Sequence, residues 1–164
     1  ENRFVGMIIV AIEPHTRRVT YANAGHTPGY ILDQAGHVRM ELTSTGVVLG
    51  LFCDAAFVTE QGPELQQGDL LVLFTDGVTE AATADGRICG PEWALDVVRA
   101  RTHLASAEIL DALCEAVRSL VGDAAQQDDV TAMVCRVVGR AGPKSPERRR
   151  AARRSVAGTR RQAS

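Results

Sequence analysis

The sequence predicts an α+β domain with strands and helices segregated along the chain. Two patterns point there. Short apolar or alternating runs punctuated by Gly, Pro, Asn and Asp fill residues 5–75, and two segments of helical spacing follow over residues 91–121 before one last apolar run. Strands grouped apart from helices favour layered α+β packing over alternating βαβ winding. Length and composition agree. The chain has 164 residues, 45% hydrophobic and 23% charged, which suits one globular domain and excludes wholesale disorder.

Residues 5–12 form a continuous apolar run, read as a buried strand, and the turn Glu13-Pro14-His15-Thr16 ends it. Residues 18–22 alternate polar and apolar and return antiparallel. Asn23-Ala-Gly-His26 interrupts them as a loop. Residues 29–32 and 38–42 read as a hairpin about the turn Asp33-Gln-Ala-Gly36. The stretch from Leu42 to Gly50 is a loop, residues 56–60 a further strand, and residues 64–69 a turn into the apolar strand at 70–75. Pro91 suits the first turn of a helix carrying Trp93, Ala94, Val97 and Val98 on one face. Ser106 is placed to cap a second helix over 107–121, whose stripe is Ile109, Leu110, Leu113, Val117, Leu120 and Val121, with Gly122 as the stop. Residues 130–138 close the domain as a strand.

Charge divides the chain. Residues 1–138 carry nine arginines against nineteen acids, a net −10, whereas residues 139–164 carry eight arginines and Lys144 against Glu147, a net +8. The basic tail is too poor in apolar residues to offset the entropy of ordering, so disorder is expected over 139–164. Such a tail suits an acidic surface or nucleic acid, but more readily a solvated extension without a role. An acidic body with 4% aromatic residues makes nucleic-acid binding the weakest reading. No apolar run approaches the roughly 20 residues of a membrane helix. Cys53, Cys89, Cys114 and Cys135 have no C-x-x-C spacing and read as reduced structural thiols, with Cys114 and Cys135 on buried faces, consistent with a cytoplasmic protein. No initiating Met opens the chain and the pattern starts mid-way, so it reads as the later part of something longer.

Three constellations carry possible chemistry. In Gly68-Asp-Leu-Leu-Val-Leu-Phe-Thr-Asp76-Gly77-Val-Thr-Glu80 an apolar strand ends on an Asp followed at once by Gly. A strand end holds a carboxylate firmly and Gly lets the chain turn away, which suits a metal ligand; a plain Asp-Gly turn accounts for it too. In Gln126-Gln-Asp128-Asp129-Val-Thr131 two acids stand at the mouth of the last strand, where a hard divalent ion would neutralise them, or water would solvate them. The two motifs converge only if their strands are neighbours. In Asn23-Ala-Gly25-His26 the imidazole could act as acid, ligand or phosphate contact, or simply hydrogen-bond within its loop.

Taken in order, Tyr21-Ala-Asn-Ala-Gly-His26, Gly46-Val-Val-Leu-Gly50, the segment from Gly68 to Ala81, and Asp128-Asp-Val-Thr131 resemble the SpoIIE/RsbU-type branch of the PP2C-like (PPM) serine/threonine phosphatases. The resemblance covers residues 1–138. It implies a two-layer antiparallel β-sandwich flanked by helices, with two Mn²⁺ or Mg²⁺ ions held at its edge. Through them water becomes the nucleophile on a phosphoserine or phosphothreonine phosphorus. By resemblance Asp76 and Asp128 are metal ligands. Asp129, Gly77, Asn23, Gly25 and His26 lie beside the metals or the substrate, and no side chain is itself the nucleophile. The implied partner is a phosphorylated protein, such as an anti-sigma-factor antagonist, in bacterial signalling. The family's earlier Asp, which bridges the metals, has no counterpart here. The string Asp33-Gln-Ala-Gly36-His37-Val38 is a hairpin turn and ends in Val rather than Gly. A catalytically incomplete copy serving as a protein-binding module is therefore the alternative reading.

Overall fold

The computed structural model describes residues 3–83, 86–122 and 129–139. Among these residues, seven strands and three helices follow the segregated order: β1 (Met7–Ile12), β2 (Arg18–Ala24), β3 (Gly29–Leu32), β4 (Val38–Leu42), β5 (Glu60–Glu64), β6 (Leu70–Phe74), α1 (Asp76–Thr79), α2 (Gly90–Arg99), α3 (Ser106–Val121) and β7 (Ala132–Arg136). They build two antiparallel sheets, one ordered β1-β2-β5 and the other β4-β3-β6-β7.

The four-stranded sheet is buried on both faces near β6. Leu70, Val72 and Phe74 point to the helices and pack with Tyr30, Leu32 and Val134 against Ala94, Leu95, Val98, Ile109, Leu113 and Val117. Leu71 points the other way, to the second sheet, and joins Val19, Tyr21, Ile31, Leu42 and Leu65 between the layers. The period-2 geometry of a strand thus explains why residues 70–74 are all apolar: each face has its own core to fill. Among the described residues, α2 and α3 pack on the four-stranded sheet. Arg39 on β4 pairs with the buried Asp69, whose carboxylate also takes the Gln66 N–H at 2.8 Å, closing the turn into β6.

Several elements differ from expectation. The run at residues 5–12 is not a buried strand. β1 is an edge: Ile8 and Val10 turn inward to the inter-sheet core, while Ile9 on the opposite face is 59% exposed and Met7 is exposed beside it. A continuous apolar run asks for cover on two faces, and among the described residues it has cover on one. The strand expected at 56–60 forms at Glu60–Glu64 instead, and includes Pro63. Among the described residues β5 pairs only with β2, so a proline lacking N–H is tolerated on its other side. Asn23 lies inside β2 rather than interrupting it. Asp76 and Gly77 open a one-turn helix, not a simple turn. The chain enters α3 through Ala105, whose N–H is taken by the Glu108 carboxylate at 2.9 Å, so Ser106 is a helical residue and not the cap. β7 is shorter than the run at 130–138. All four cysteines are free, but Cys114 is half-buried and Cys135 exposed, because Cys135 lies on the face of β7 opposite the buried Val134. Of the basic tail, residues 140–164 lie outside the described residues.

Candidate metal-edge site

β6 and β7 are neighbours, running antiparallel with Phe74 opposite Ala132. The end of β6 and the start of β7 therefore meet at one edge of the sheet, and this is the juxtaposition the two acidic motifs require. Asp76 stands there, exposed, at the first position of α1. Its Oδ1 accepts the Gly77 N–H at 3.0 Å, and no ion pair engages it among the described residues. Gly77 is buried directly beneath the other motif: a Cβ on it would lie 2.5 Å from the Asp129 carbonyl oxygen and 2.9 Å from its carbon. Only glycine lets the two segments approach so closely. Asp129 is exposed at this edge. Asp128, the residue before it, lies outside the described residues.

Thr75 joins the two segments. Its N–H donates to the Thr131 carbonyl at 2.9 Å, its hydroxyl donates to the Asp129 carbonyl at 2.9 Å, and the Thr131 N–H donates back to the hydroxyl at 3.0 Å. Sequence reasoning placed Thr75 at the end of its strand and passed over it. Its one signal was a hydroxyl immediately before the Asp.

The Asn23–His26 loop abuts the same strand from the other side. Asn23 is fully buried. Its amide donates to the Leu42 carbonyl at 3.0 Å and accepts the His26 N–H at 2.8 Å, and its backbone carbonyl receives the N–H groups of Thr45 and Gly46. Both ends of that amide are engaged inside the protein, where they shape the loop. Gly25, at φ +67, lies under the Gly46–Gly50 segment. A Cβ there would sit 2.3 Å from Val48 Cγ1, which ties two of the four sequence motifs together by contact. Half-buried His26 presents Nδ1 to the Thr27 carbonyl at 2.8 Å and the Thr27 hydroxyl at 3.1 Å. The hydroxyl gives its single proton to the Phe74 carbonyl, so Nδ1 must carry the imidazole proton. The loop thus holds β6 two residues before Asp76.

The donors at this edge are oxygens, the chemistry a hard divalent cation selects. Among the described residues no three His, Cys, Asp or Glu side chains come together as a ligand set. The edge suits a hard divalent cation in ligand type, and its two described carboxylates, Asp76 and Asp129, do not by themselves make up a ligand set.

Comparison with known proteins decides the family. The family model for stage II sporulation protein E (SpoIIE) matches residues 1–138. The chain belongs to the SpoIIE family. It is 34% identical over 91 residues to phosphoserine phosphatase RsbU of Bacillus subtilis (strain 168), covering 56% of this chain and 27% of that protein. It is 29% identical over 128 residues to protein IcfG of Synechocystis, covering 78% of this chain and 20% of that protein. Its fold superposes on the SiaA-PP2C domain of Pseudomonas aeruginosa with a TM-score of 0.70 at 22% identity, over 81% of this chain and 52% of that one. It also superposes on the phosphatase domain of SpoIIE from Bacillus subtilis, presoaked with Mn, with a TM-score of 0.59 at 25% identity, over 85% of this chain and 59% of that one. The two stacked antiparallel sheets with helices on one face are therefore a PP2C-type α+β fold. The SpoIIE-family chain spans about a quarter of the curated relatives it matches and just over half of the two solved domains.

Proposed function

We propose that this chain is the part of a metal-dependent protein serine/threonine phosphatase that supplies one wall of the active site. The observation that carries the reading is the meeting of the Asp76 strand end with the segment 129–131 at one sheet edge, in a SpoIIE-family chain. In this reading Asp76 and Asp128 are ligands to Mn²⁺ or Mg²⁺, Asp129 lies beside them, and the remaining carboxylates come from outside the described residues. The ions would lower the pKa of a bound water so that it attacks phosphorus at neutral pH. The protein's share is placement. β6, pinned at Phe74 by Thr27 and at Thr75 by the 129–131 segment, presents the Asp76 carboxylate in a fixed position, and phosphoryl transfer depends on such positioning more than on a protein nucleophile.

The substrate is a phosphoserine or phosphothreonine protein, in keeping with the phosphoserine phosphatase name of RsbU, and an anti-sigma-factor antagonist in a bacterial signalling pathway is the proposed partner. Four free cysteines favour the reducing cytoplasm, and no helix among the described residues is long and apolar enough to cross a membrane.

The test is Mn²⁺-dependent hydrolysis of a phosphoserine peptide by the full-length protein and its Asp76→Asn variant. The variant keeps the side-chain shape and loses the charge, and activity is expected to fall at least about 100-fold. Full retention of activity sinks the assignment. Folded wild-type protein that is inert with Mn²⁺ and still binds a protein partner would favour the binding-module alternative.

A further inference from the structure

Thr75 occupies the N-cap of α1, where a threonine side chain ordinarily bonds a free N–H of the helix's own first turn. Here it makes no such bond. A hydroxyl has one proton and accepts through its lone pairs, and both capacities are committed across the sheet: the proton to the Asp129 carbonyl, an acceptor site to the Thr131 N–H. The regular β6–β7 pairing ends at Phe74 opposite Ala132. Beyond it, residues 129–131 are tied to the Asp76 side of the edge by the Thr75 hydroxyl, the Thr75 N–H and the close approach over Gly77. The close approach depends on Gly77, and the Thr75 N–H is a backbone group that any residue but proline supplies. The hydroxyl alone is specific to the side chain.

We propose that Thr75 is a positioning residue whose hydroxyl locks residues 129–131, just before β7, against the Asp76 turn and so sets the separation of the two acidic motifs on which cation binding depends. This rests on the phosphatase reading of the edge. Thr75 contacts neither cation nor substrate in this scheme; it acts through the backbone of Asp129 and Thr131. Valine has the same β-branched shape and neither donor nor acceptor. Serine keeps both.

The experiment compares wild type, Thr75→Val and Thr75→Ser in the full-length protein by three measurements. These are amide hydrogen exchange at Thr131 without metal, Mn²⁺ affinity by calorimetry, and kcat and KM on a phosphoserine peptide. Thr75→Val is expected to speed Thr131 exchange at least about tenfold and to weaken Mn²⁺ binding by about 10- to 100-fold. It should lower kcat at fixed Mn²⁺ while leaving KM for the peptide near wild type. Thr75→Ser stays within about threefold of wild type on all three. Thr75→Cys, with a weaker donor and acceptor, gives an intermediate loss and carries the comparison should the valine variant not fold. Wild-type Mn²⁺ affinity in a Thr75→Val protein that has lost only thermal stability overturns the proposal, as does a serine variant as impaired as the valine one. Wild-type protein that binds no Mn²⁺ overturns the phosphatase reading and the positioning role together, and shows itself before any variant is compared.

Discussion

Replacing Gly77 with alanine sets two physical effects against each other, and the sign of the result separates them. Gly77 is in α1, and in a helix alanine is favoured over glycine by about 1 kcal/mol. If the position were an ordinary turn, Gly77→Ala would stabilise the chain by about that amount. The structure places the Asp129 carbonyl oxygen 2.5 Å from the added methyl carbon, where ordinary contact begins at 3.4 Å, so the segment must retreat by about 0.9 Å. The obstructing atoms are backbone and cannot rotate aside, and overpacking of this kind costs about 1–3 kcal/mol. The same retreat would stretch the Thr75–Asp129 and Thr75–Thr131 bonds, each worth about 1 kcal/mol. The net expectation is destabilisation by about 1–3 kcal/mol, with faster exchange of the Thr131 amide. Urea unfolding followed through Trp93, which packs on the helix-side core, measures the first. An alanine variant as stable as wild type, or more so, refutes the close approach and with it the placement of the two acidic motifs.

Asn23→Ala should be the costliest single truncation in the β2 loop. It strands the Leu42 carbonyl and the His26 N–H inside the protein, for an expected loss of about 2–4 kcal/mol in urea unfolding; a loss under about 0.5 kcal/mol would contradict the buried network. Both tyrosines should titrate abnormally. Burial pushes the Tyr30 hydroxyl up to about 12, helped by the nearby Glu41 and Glu92 charges, and burial followed by the hydrogen bond to Glu60 raises Tyr21. A phenol raised above its unfolded value of about 10 contributes stability that is whole below pH 10 and is lost as pH climbs toward 12, about 3 kcal/mol for Tyr30. Tyrosinate absorbance of a Tyr21→Phe variant, in which Tyr30 is the one remaining phenol, should therefore not rise near pH 10; a midpoint there with the fold intact would contradict the burial of Tyr30.

Much of this architecture could be read from residue order alone. Apolar periodicity fixed the existence of β6 and α3, and residue order put Asp76 directly after an apolar strand. The spacing of the Asn23–His26, Gly46–Gly50, Gly68–Ala81 and Asp128–Thr131 motifs carried the family resemblance, which the match to the SpoIIE model then established. These readings hold because they depend on local rules: period, turn residues and the valence of a side chain. The misplaced elements are those whose form depends on a neighbour. Residues 5–12 looked doubly buried because period cannot say what lies over each face, and Pro63 sits in β5 because only the sheet order makes that strand an edge.

The site divides the same way. Asn23 is an ordinary polar residue in the sequence, and Thr75 an ordinary strand end. Each acquires its role from partners far along the chain: Leu42 for Asn23, Asp129 and Thr131 for Thr75. Residue types along the chain determined which oxygens were available to hold a cation. The antiparallel pairing of β6 with β7 decided that two segments more than fifty residues apart share one edge, because a hydrogen-bonded ladder is a relation between strands that neither strand encodes by itself.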